Sequence, residues 1–272
     1  MKIGSIGHQT KSRLKHHKNF DRLRALTKHK KSLNMRTEFC FSKKNSNPEE
    51  TIITLEIDSL GQSQIQHYNN YFLEKCKKYD WTIVCDLDEF IYARNNFKNI
   101  KEYLNTLDDK ISQVFIPWKM FGSSGFNTID KKQPESVIKN FIKRTNYDKD
   151  CNFQGVIMEG DDKYSLTKCI VRNKYLKKFG IHSHEMTNNN FIGPDNNNSI
   201  KNNVFYKINE KILSESFLHL NHYPIQSYEW FMRIKATRGD SVCVKNVRDE
   251  NYYRSFDNSS NDIEDNELML LN

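Results

Sequence analysis

An apolar run that ends in two closely spaced carboxylates is the feature that most constrains the fold. Residues 81–85 (WTIVC) are apolar or β-branched, and Asp86 and Asp88 follow directly. A short apolar run of this kind predicts a buried strand, and alternate residues of a strand share one face. Because ligands of open α/β sheets bind beyond the carboxyl ends of strands, we expect Asp86 and Asp88 to face one ligand site. Glu89, the neighbour of Asp88, is expected to point away from it.

The segments before this run predict a βαβ arrangement. Residues 36–42 and 51–57 are predicted to be strands, the second because its apolar residues alternate. Apolar residues at helical spacing predict a helix over 62–78. A strand, a helix and a further strand in this order are typical of a parallel sheet. The expected fold class is therefore α/β, with a Rossmann-like, mixed but mainly parallel sheet flanked by helices.

Composition excludes several classes of protein. The chain has 272 residues, of which 37% are hydrophobic and 12% aromatic, which is enough for a core and argues against disorder. Its six cysteines are scattered without a CxxC pair, so free thiols in a reducing compartment are expected. The sequence shows neither an apolar run of membrane-spanning length nor a secretory signal. These observations predict a cytoplasmic protein without a membrane span.

The positive charge is concentrated at the N-terminus. Residues 1–44 carry thirteen Lys or Arg and two acidic residues; since the whole chain has a net charge of +8, the remainder carries −3. We therefore expect a basic arm or degraded first βα unit over 1–44, a catalytic domain over 45–254 and an acidic, flexible tail over 255–272. Such an arm could contact nucleic acid, but a solvated arm is the favoured interpretation, so nucleic acid is not an expected partner.

The paired carboxylates indicate a metal site. Asp86 and Asp88 supply hard oxygen ligands, which suit Mg²⁺ or Mn²⁺. A divalent cation of this kind binds a diphosphate and neutralises the charge that develops on a departing one. The pattern therefore favours transfer of a sugar from a nucleotide-sugar donor.

Several motifs in the same order resemble those of glycosyltransferase family 92 and its family-2-like relatives. They are GQSQ (61–64), DLDEFI (86–91), IPW (116–118), FGSSG (121–125), a basic position at Arg144, and NHY (221–223) followed by Ser227, Phe231, Lys235 and Arg238-Gly239. Together they cover roughly residues 50–240. The resemblance implies a GT-A fold, a UDP-sugar donor, a divalent metal, inversion at the anomeric carbon, and a glycan or glycoprotein acceptor.

Two departures from the family pattern concern donor binding and the acceptor loop. The family's base-binding turn has no clear counterpart; residues 42–47 are its degraded form, with Lys43 where an acid is expected. Phe126 stands where the family loop has a histidine. A non-catalytic relative that keeps the fold is therefore one alternative hypothesis, and a nucleic-acid-binding protein acting through residues 1–44 is another.

Further site residues follow from chemistry and from the resemblance. His182 and His184 share a face if they lie on a strand, and a late histidine completes the metal site in GT-A enzymes. The resemblance favours His222 and His184 as metal ligands beside Asp86 and Asp88. Arg144 matches the family's basic position and is expected to contact donor phosphate as a bidentate partner.

The remaining candidates concern the base and the acceptor loop. Glu185 and Asp130 are candidate catalytic bases, because an inverting transferase needs one base within reach of the acceptor hydroxyl. Trp118 is expected to stack on a sugar or nucleobase. Gly122 is expected to let its loop approach the ligand closely.

Overall fold

The structure is a computed structural model that describes residues 38–42, 52–54, 64–128, 137–151, 153, 155–200, 202–237 and 248–271. Its strands are β1 (Glu38–Ser42), β2 (Ile52–Thr54), β3 (Trp81–Cys85), β4 (Glu89–Ala93), β5 (Gln113–Met120), β6 (Lys143–Arg144), β7 (Val156–Glu159), β8 (Asp162–Arg172), β9 (Leu176–Lys178), β10 (Glu185–Met186), β11 (Phe191–Ile192), β12 (Asn198–Ser199), β13 (Phe205–Lys207), β14 (Leu218–His222) and β15 (Ile263–Glu264). Its α-helices are α1 (Gln64–His67), α2 (Leu73–Cys76), α3 (Ile100–Thr106), α4 (Val137–Asn140), α5 (Glu210–Glu215), α6 (Tyr228–Trp230), α7 (Glu250–Asn258) and α8 (Glu267–Leu270). Two π-helical segments, Tyr68–Phe72 and Phe231–Lys235, continue α1 and α6, and Asn173–Tyr175 is a 3₁₀ turn.

Most of the strands form one mixed sheet. Its main path runs β12-β11-β5-β8-β3-β1-β2, and β14 joins it by pairing with β5 on one side and β4 on the other. The long strand β8 lies at the centre, between β3 and β5. The structure therefore agrees with an α/β protein that contains a large mixed sheet.

The expectation of a mainly parallel sheet is wrong for the described residues. Only β11 and β14 pair in parallel, both with β5, whereas the other described pairings are antiparallel. Since β3 and β5 are both antiparallel to β8, they run in the same direction, as the βαβ order predicts. The sequence pattern could not show that β8, much later in the chain, inserts between them.

The helix predicted over 62–78 is present as α1, the π-helical segment and α2 in succession. Tyr68, Phe72 and Cys76 lie on its inner side, each almost fully buried. They pack in one hydrophobic cluster with Val84 of β3 and Phe115 of β5. Burial of a large apolar side chain contributes about 1.5–3 kcal/mol, so this contact fixes the helix on the sheet near the end of β3.

The opposite face of the sheet carries a second and larger hydrophobic cluster. Ile83, Ile116 and Leu220 contribute to it from β3, β5 and β14. All residues of β5 are buried, as expected for a strand that is covered on both faces. The ends of β3, β5 and β14 are thereby held rigidly by packing.

Residues 255–271 are folded, in contrast to the flexible tail expected from their acidic composition. They contain the end of α7, β15 and α8, and β15 pairs with β6. Asp265 and Glu267 form ion pairs with the buried Lys119. Two of the acidic residues of this segment therefore serve as counter-charges inside the fold. The boundary expected at residue 254 falls inside α7, so the tail belongs to the main body.

The structure describes only a small part of the predicted N-terminal arm. Residues 1–37 and 43–51 lie outside the described residues, whereas β1 pairs with β3 along its length and belongs to the sheet. Among the described residues, no helix combines the length and the apolar character needed to cross a membrane.

Candidate functional site

Asp86 and Asp88 lie on the turn that connects β3 to β4. The amide of Glu89 donates to the carbonyl of Asp86 at 3.1 Å and closes the turn, and the amide of Tyr223 donates to the carbonyl of Asp88 at 2.9 Å. The two residues therefore belong to a turn. The expectation from their spacing, that they share one face of a strand, is wrong. The turn, and its attachment to the end of β14, present them at the end of the sheet.

Asp86 forms an ion pair with a buried lysine. Its Oδ2 lies 3.0 Å from Lys168 Nζ, and its Oδ1 lies 3.5 Å from the amide nitrogen of Gln64. The Lys168 side chain on β8 is 1% exposed, whereas that of Asp86 is 37% exposed. Burial raises the pKa of Asp86, but the charge of Lys168 outweighs it and holds the pKa below its usual value. Asp86 is therefore an ionised carboxylate that is accessible from one side.

Asp88 is neutralised by a second lysine. Its Oδ2 lies 2.5 Å from Lys235 Nζ, and its Oδ1 lies 3.8 Å from His222 Nε2. Burial opposes ionisation, but Lys235 and His222 hold the pKa of Asp88 well below its usual value. Lys235 ends the π-helical segment that continues α6, whose start is capped by the Ser227 side chain. The cap thus helps to set the position of the lysine.

Glu89 is part of the same centre, which the sequence interpretation missed. Its side chain is fully buried, its Oε2 accepts from the Asp86 amide at 2.9 Å, and the same oxygen lies 3.5 Å from Lys168 Nζ. Its Oε1 is buried without a hydrogen bond in the described structure. Burial raises the pKa of Glu89 to about 8, against the opposing charge of Lys168. The sequence did contain a signal for this role, because Glu89 is a charged residue at the start of the otherwise apolar strand β4.

His222 faces Asp88 from β14. The register of β14 places it opposite Glu89 on β4 and Met120 on β5, and its ring lies 4.4 Å from that of Trp118. Burial lowers the pKa of His222 to about 3, so the imidazole is neutral at pH 7. Its Nδ1 is buried without a hydrogen-bond partner among the described residues. A neutral imidazole with an uncommitted nitrogen is suited to metal ligation.

His184 lies in a different environment from the one expected. Its Nδ1 accepts a hydrogen bond from the Gly180 amide at 2.9 Å, so the proton of the neutral ring is on Nε2 and no lone pair is left for a metal. His182 fits better, because its Nδ1 lies 3.0 Å from the Thr167 carbonyl and can donate to it, leaving Nε2 free. Its pKa is lowered to about 4 by burial and by Lys168. The hydrogen bonds thus favour His182 over His184 as a candidate ligand, and a metal role for either stays a prediction.

Arg144 is committed to protein carboxylates. Its guanidinium makes a bidentate contact with Glu210, at 2.8 Å to each oxygen, and its Nε donates to Asp265 at 2.7 Å. A further hydrogen bond reaches the Thr145 carbonyl. Since these contacts use the fork that would bind phosphate, Arg144 has a structural role instead of the expected donor contact.

Trp118 and Gly122 occupy packed positions. Trp118 is 7% exposed and its indole N–H has no hydrogen-bond partner in the described residues, so it backs His222 rather than presenting an open stacking face. A Cβ at Gly122 would lie 2.4 Å from the carbonyl oxygen of Ser260. Gly122 is thus required by the close approach of the C-terminal segment, and not by a ligand.

Of the two candidate bases, only Glu185 is among the described residues. Glu185 has a side chain that is 59% exposed and lies 3.6 Å from Lys177. Asp130 lies outside the described residues. A catalytic base therefore stays a prediction.

The donor atoms at the turn fit a divalent cation in type. In the described residues, no group of three or more His, Cys, Asp or Glu is arranged to hold a metal ion. Nevertheless, each aspartate has its Oδ2 on a lysine, whereas its Oδ1 faces an uncharged group, the side-chain amide of Gln64 at 3.5 Å for Asp86 and the neutral ring of His222 at 3.8 Å for Asp88. Two carboxylate oxygens and a neutral imidazole form a ligand set that Mn²⁺ accepts.

Comparison with known proteins identifies the family of the chain. The family model described as glycosyltransferase family 92 matches residues 60–265, which include the carboxylate turn, β14 and most of the C-terminal segment. No curated protein matches the chain.

Proposed function

The chain belongs to glycosyltransferase family 92, and we propose that it transfers the sugar of a UDP-sugar to a glycan or glycoprotein hydroxyl, with inversion and with the help of Mn²⁺ or Mg²⁺. Membership of the family itself implies a nucleotide-sugar donor and a glycan acceptor. The single observation that supports the finer proposal is the cluster of Asp86, Asp88 and His222 at the ends of β3 and β14. This cluster combines carboxylate oxygens with a neutral imidazole. Two lysines, Lys168 and Lys235, pair with its aspartates.

Each part of this cluster has a chemical role in the proposal. Asp86 Oδ1, Asp88 Oδ1 and a nitrogen of His222 would hold the cation. When bound, the cation would offset the negative charge that develops on the diphosphate leaving group. Glu89, through its hydrogen bond to the Asp86 amide, keeps the turn in place.

The two lysines have different roles in the proposal: Lys168 is structural, and Lys235 contacts the donor. The Lys168 side chain is 1% exposed and serves to orient Asp86. Lys235 has an 18% exposed side chain and lies at the accessible side of Asp88, so its ammonium can contact a phosphate oxygen as well as the carboxylate. Lysine is an effective phosphate partner as a point charge.

The metal assignment is tested by removing both charges without changing side-chain size. We expect the Asp86→Asn/Asp88→Asn variant to lower Mn²⁺-dependent UDP-sugar hydrolysis by about 100-fold or more, since even partners of metal ligands cost about 10–100-fold when removed. Calorimetric titration of UDP with and without Mn²⁺ should show that the metal-dependent part of the affinity is lost too.

A matched control is Asp161→Asn, at an exposed position in the turn between β7 and β8. It should leave both measurements unchanged. Hydrolysis and metal-dependent UDP affinity that survive in the double variant would overturn the metal assignment. Absence of UDP binding by the wild-type protein at millimolar concentration would instead favour a non-catalytic relative.

A further inference from the structure

A separate cavity of about 240 Å³ lies beside the FGSSG loop. Its lining combines the loop with α6 and α7, and consists of Ser123, Gly125, Asn127, Tyr228, Tyr253, Arg254, Asp257 and Asn258. Drug-sized ligands occupy pockets of roughly 300–1,000 Å³. A cavity slightly below this range is suited to one small ring and not to an extended ligand.

The walls of the cavity are fixed by hydrogen bonds within the protein. Asp257 accepts from the backbone amide of Ser123 at 2.7 Å and from its hydroxyl at 3.0 Å. The amide of Tyr228 donates to the Phe126 carbonyl at 3.3 Å, and that of Glu229 to the Asn127 carbonyl at 2.9 Å. The loop is thus attached to both helices, and a pocket formed in advance loses little entropy on binding a ligand.

Several polar groups in the cavity remain available to a ligand. The side-chain amides of Asn127 and Asn258 are exposed and make no hydrogen bond with another described residue, and neither does the Tyr228 hydroxyl. Each amide supplies both donors and acceptors. The Tyr228 ring, which packs edge-on against Tyr253 at 5.2 Å, adds apolar surface. Hydroxyl-rich rings with apolar C–H faces match this combination.

The charges of the cavity argue against an anionic ligand. Arg254 is already paired with Glu250 at 2.5 Å on the same helix. The carboxylate of Asp257 lines the cavity and would repel a second negative charge. The ligand that fits is therefore polar but neutral.

The cavity is close to the carboxylate centre. Tyr228 begins the helical segment that ends at Lys235, the partner of Asp88, and the seven steps between these residues span about 10 Å at the rise of an α-helix. A ring in the cavity thus lies at one end of a helical segment whose other end carries the lysine that pairs with Asp88.

We propose that this cavity is the acceptor subsite and binds one neutral sugar ring of the acceptor glycan, through the Tyr228 ring and the Asn127 and Asn258 amides. The assignment rests on the proposed sugar transfer. It adds a substrate class, a neutral pyranoside, and the residues that select it.

The experiment measures binding of monosaccharide probes in the absence of donor. Methyl β-glucoside, methyl β-galactoside, methyl α-mannoside and methyl β-xyloside are titrated by ligand-observed NMR, with methyl β-glucuronide as an anionic comparator. We expect at least one neutral probe to bind in the millimolar range and the glucuronide to bind at least tenfold more weakly. The Asn127→Ala/Asn258→Ala variant, which changes only exposed side chains, should weaken the neutral probe by about tenfold.

Two further variants separate ring contact from hydrogen bonding and from general effects. Tyr228→Phe should weaken binding less than Tyr228→Ala, because it keeps the ring. Asn189→Ala and Tyr71→Ala, at exposed positions outside the cavity, should leave the Kd unchanged. The proposal is overturned if no neutral probe binds at 0.1 M, if the double variant binds within twofold of the wild type, if the controls weaken binding equally, or if the glucuronide binds best.

Wild-type UDP-sugar hydrolysis is measured in parallel. Donor hydrolysis without probe binding would refute the subsite alone. Probe binding that depends on the cavity residues, without any donor turnover, would refute the transferase proposal while keeping a sugar-binding cavity.

Discussion

At the scale of single residues, the carboxylate turn depends on one buried lysine. Lys168 Nζ lies 3.0 Å from Asp86 and 3.5 Å from Glu89, and its side chain is buried in the middle of the sheet. The charge of Asp86 raises the pKa of Lys168 despite the opposing effect of burial, so the ammonium stays charged. Removing one member of a buried pair leaves a charge without a partner, which is costly.

We expect Lys168→Met to lower the free energy of unfolding by about 3–5 kcal/mol, the usual cost of breaking a buried ion pair. Lys235→Met, at a pair with Asp88 whose side chains are 18% and 12% exposed, should cost less, about 1–3 kcal/mol, but should weaken UDP binding. Urea denaturation followed by tryptophan fluorescence measures the first effect, and calorimetry the second. Equal destabilisation by the two substitutions would contradict the distinction between a structural and a donor-binding lysine.

His219 is a second buried ionisable residue whose surroundings predict a pH effect. Its Nε2 lies 2.7 Å from the Leu213 carbonyl, and its Nδ1 lies 3.2 Å from Lys119 Nζ, 3.2 Å from the Tyr92 hydroxyl and 3.1 Å from Glu267. Burial lowers the pKa of His219 to about 4, and Lys119 adds to this effect while Glu267 opposes it. The ring is therefore neutral in the folded protein at pH 7.

Because the folded pKa is below the unfolded value of 6.5, the unfolded chain binds the proton more readily. Stability from the neutral ring is thus complete above pH 6.5 and is lost as the pH falls toward 4. The wild type should lose about 3 kcal/mol more between pH 7 and pH 4 than His219→Asn, at 1.36 kcal/mol per pKa unit. Parallel urea curves at each pH measure this difference; equal slopes for the two proteins would exclude His219 as the source.

At the scale of elements, the C-terminal segment acts as a counter-charge for the sheet. Asp265, just after β15, lies 2.6 Å from Lys119 Nζ and 2.7 Å from Arg144 Nε. Burial raises the pKa of Asp265, but the two cations outweigh it and hold the pKa below its usual value. Asp265 therefore links a buried lysine of β5 to a buried arginine of β6, each of which has one further carboxylate partner, Glu267 and Glu210 respectively.

We expect Asp265→Asn to destabilise the protein by about 3 kcal/mol, because it leaves Lys119 and Arg144 short of one negative charge. Asp262→Asn in the same segment is the matched control. Its partner Lys149 is 61% exposed, so its loss should cost less than 1 kcal/mol. The two variants are compared by the midpoint of urea unfolding. A cost for Asp265→Asn as small as that of the control would mean that the segment is held by apolar packing alone.

The same scale shows why some expectations from sequence were wrong. A strand, the helix near 62–78 and the strand at 81–85 were predictable, because their signals are local periodicity and apolar character. The antiparallel sheet was not, because the insertion of β8 between β3 and β5 is a long-range event. The tail was predicted to be flexible because its acidity was counted without its buried partner, Lys119.

For the whole molecule, the sequence allowed candidate residues to be selected by their chemistry, but it did not show which of them the fold brings together. Asp86 and Asp88 were selected because a strand followed by two acids is a local pattern, and His222 because of the family resemblance; their roles stay predictions. Glu89, Lys168 and Lys235 were not assigned to the site, since only the folded chain shows which charges are buried together. Arg144 was misassigned for the same reason: a free guanidinium and a paired one are identical in sequence.

The position of β14 between β4 and β5 has a consequence for how the protein is made. His222 reaches Glu89 and Met120 only through this strand, so the centre joins groups that leave the ribosome far apart in time. A nascent chain that stops before β14 exposes two strand edges and carries its acidic turn without the imidazole. The acidic turn and the imidazole thus come together only after β14 has been synthesised, and such distant pairing typically forms slowly.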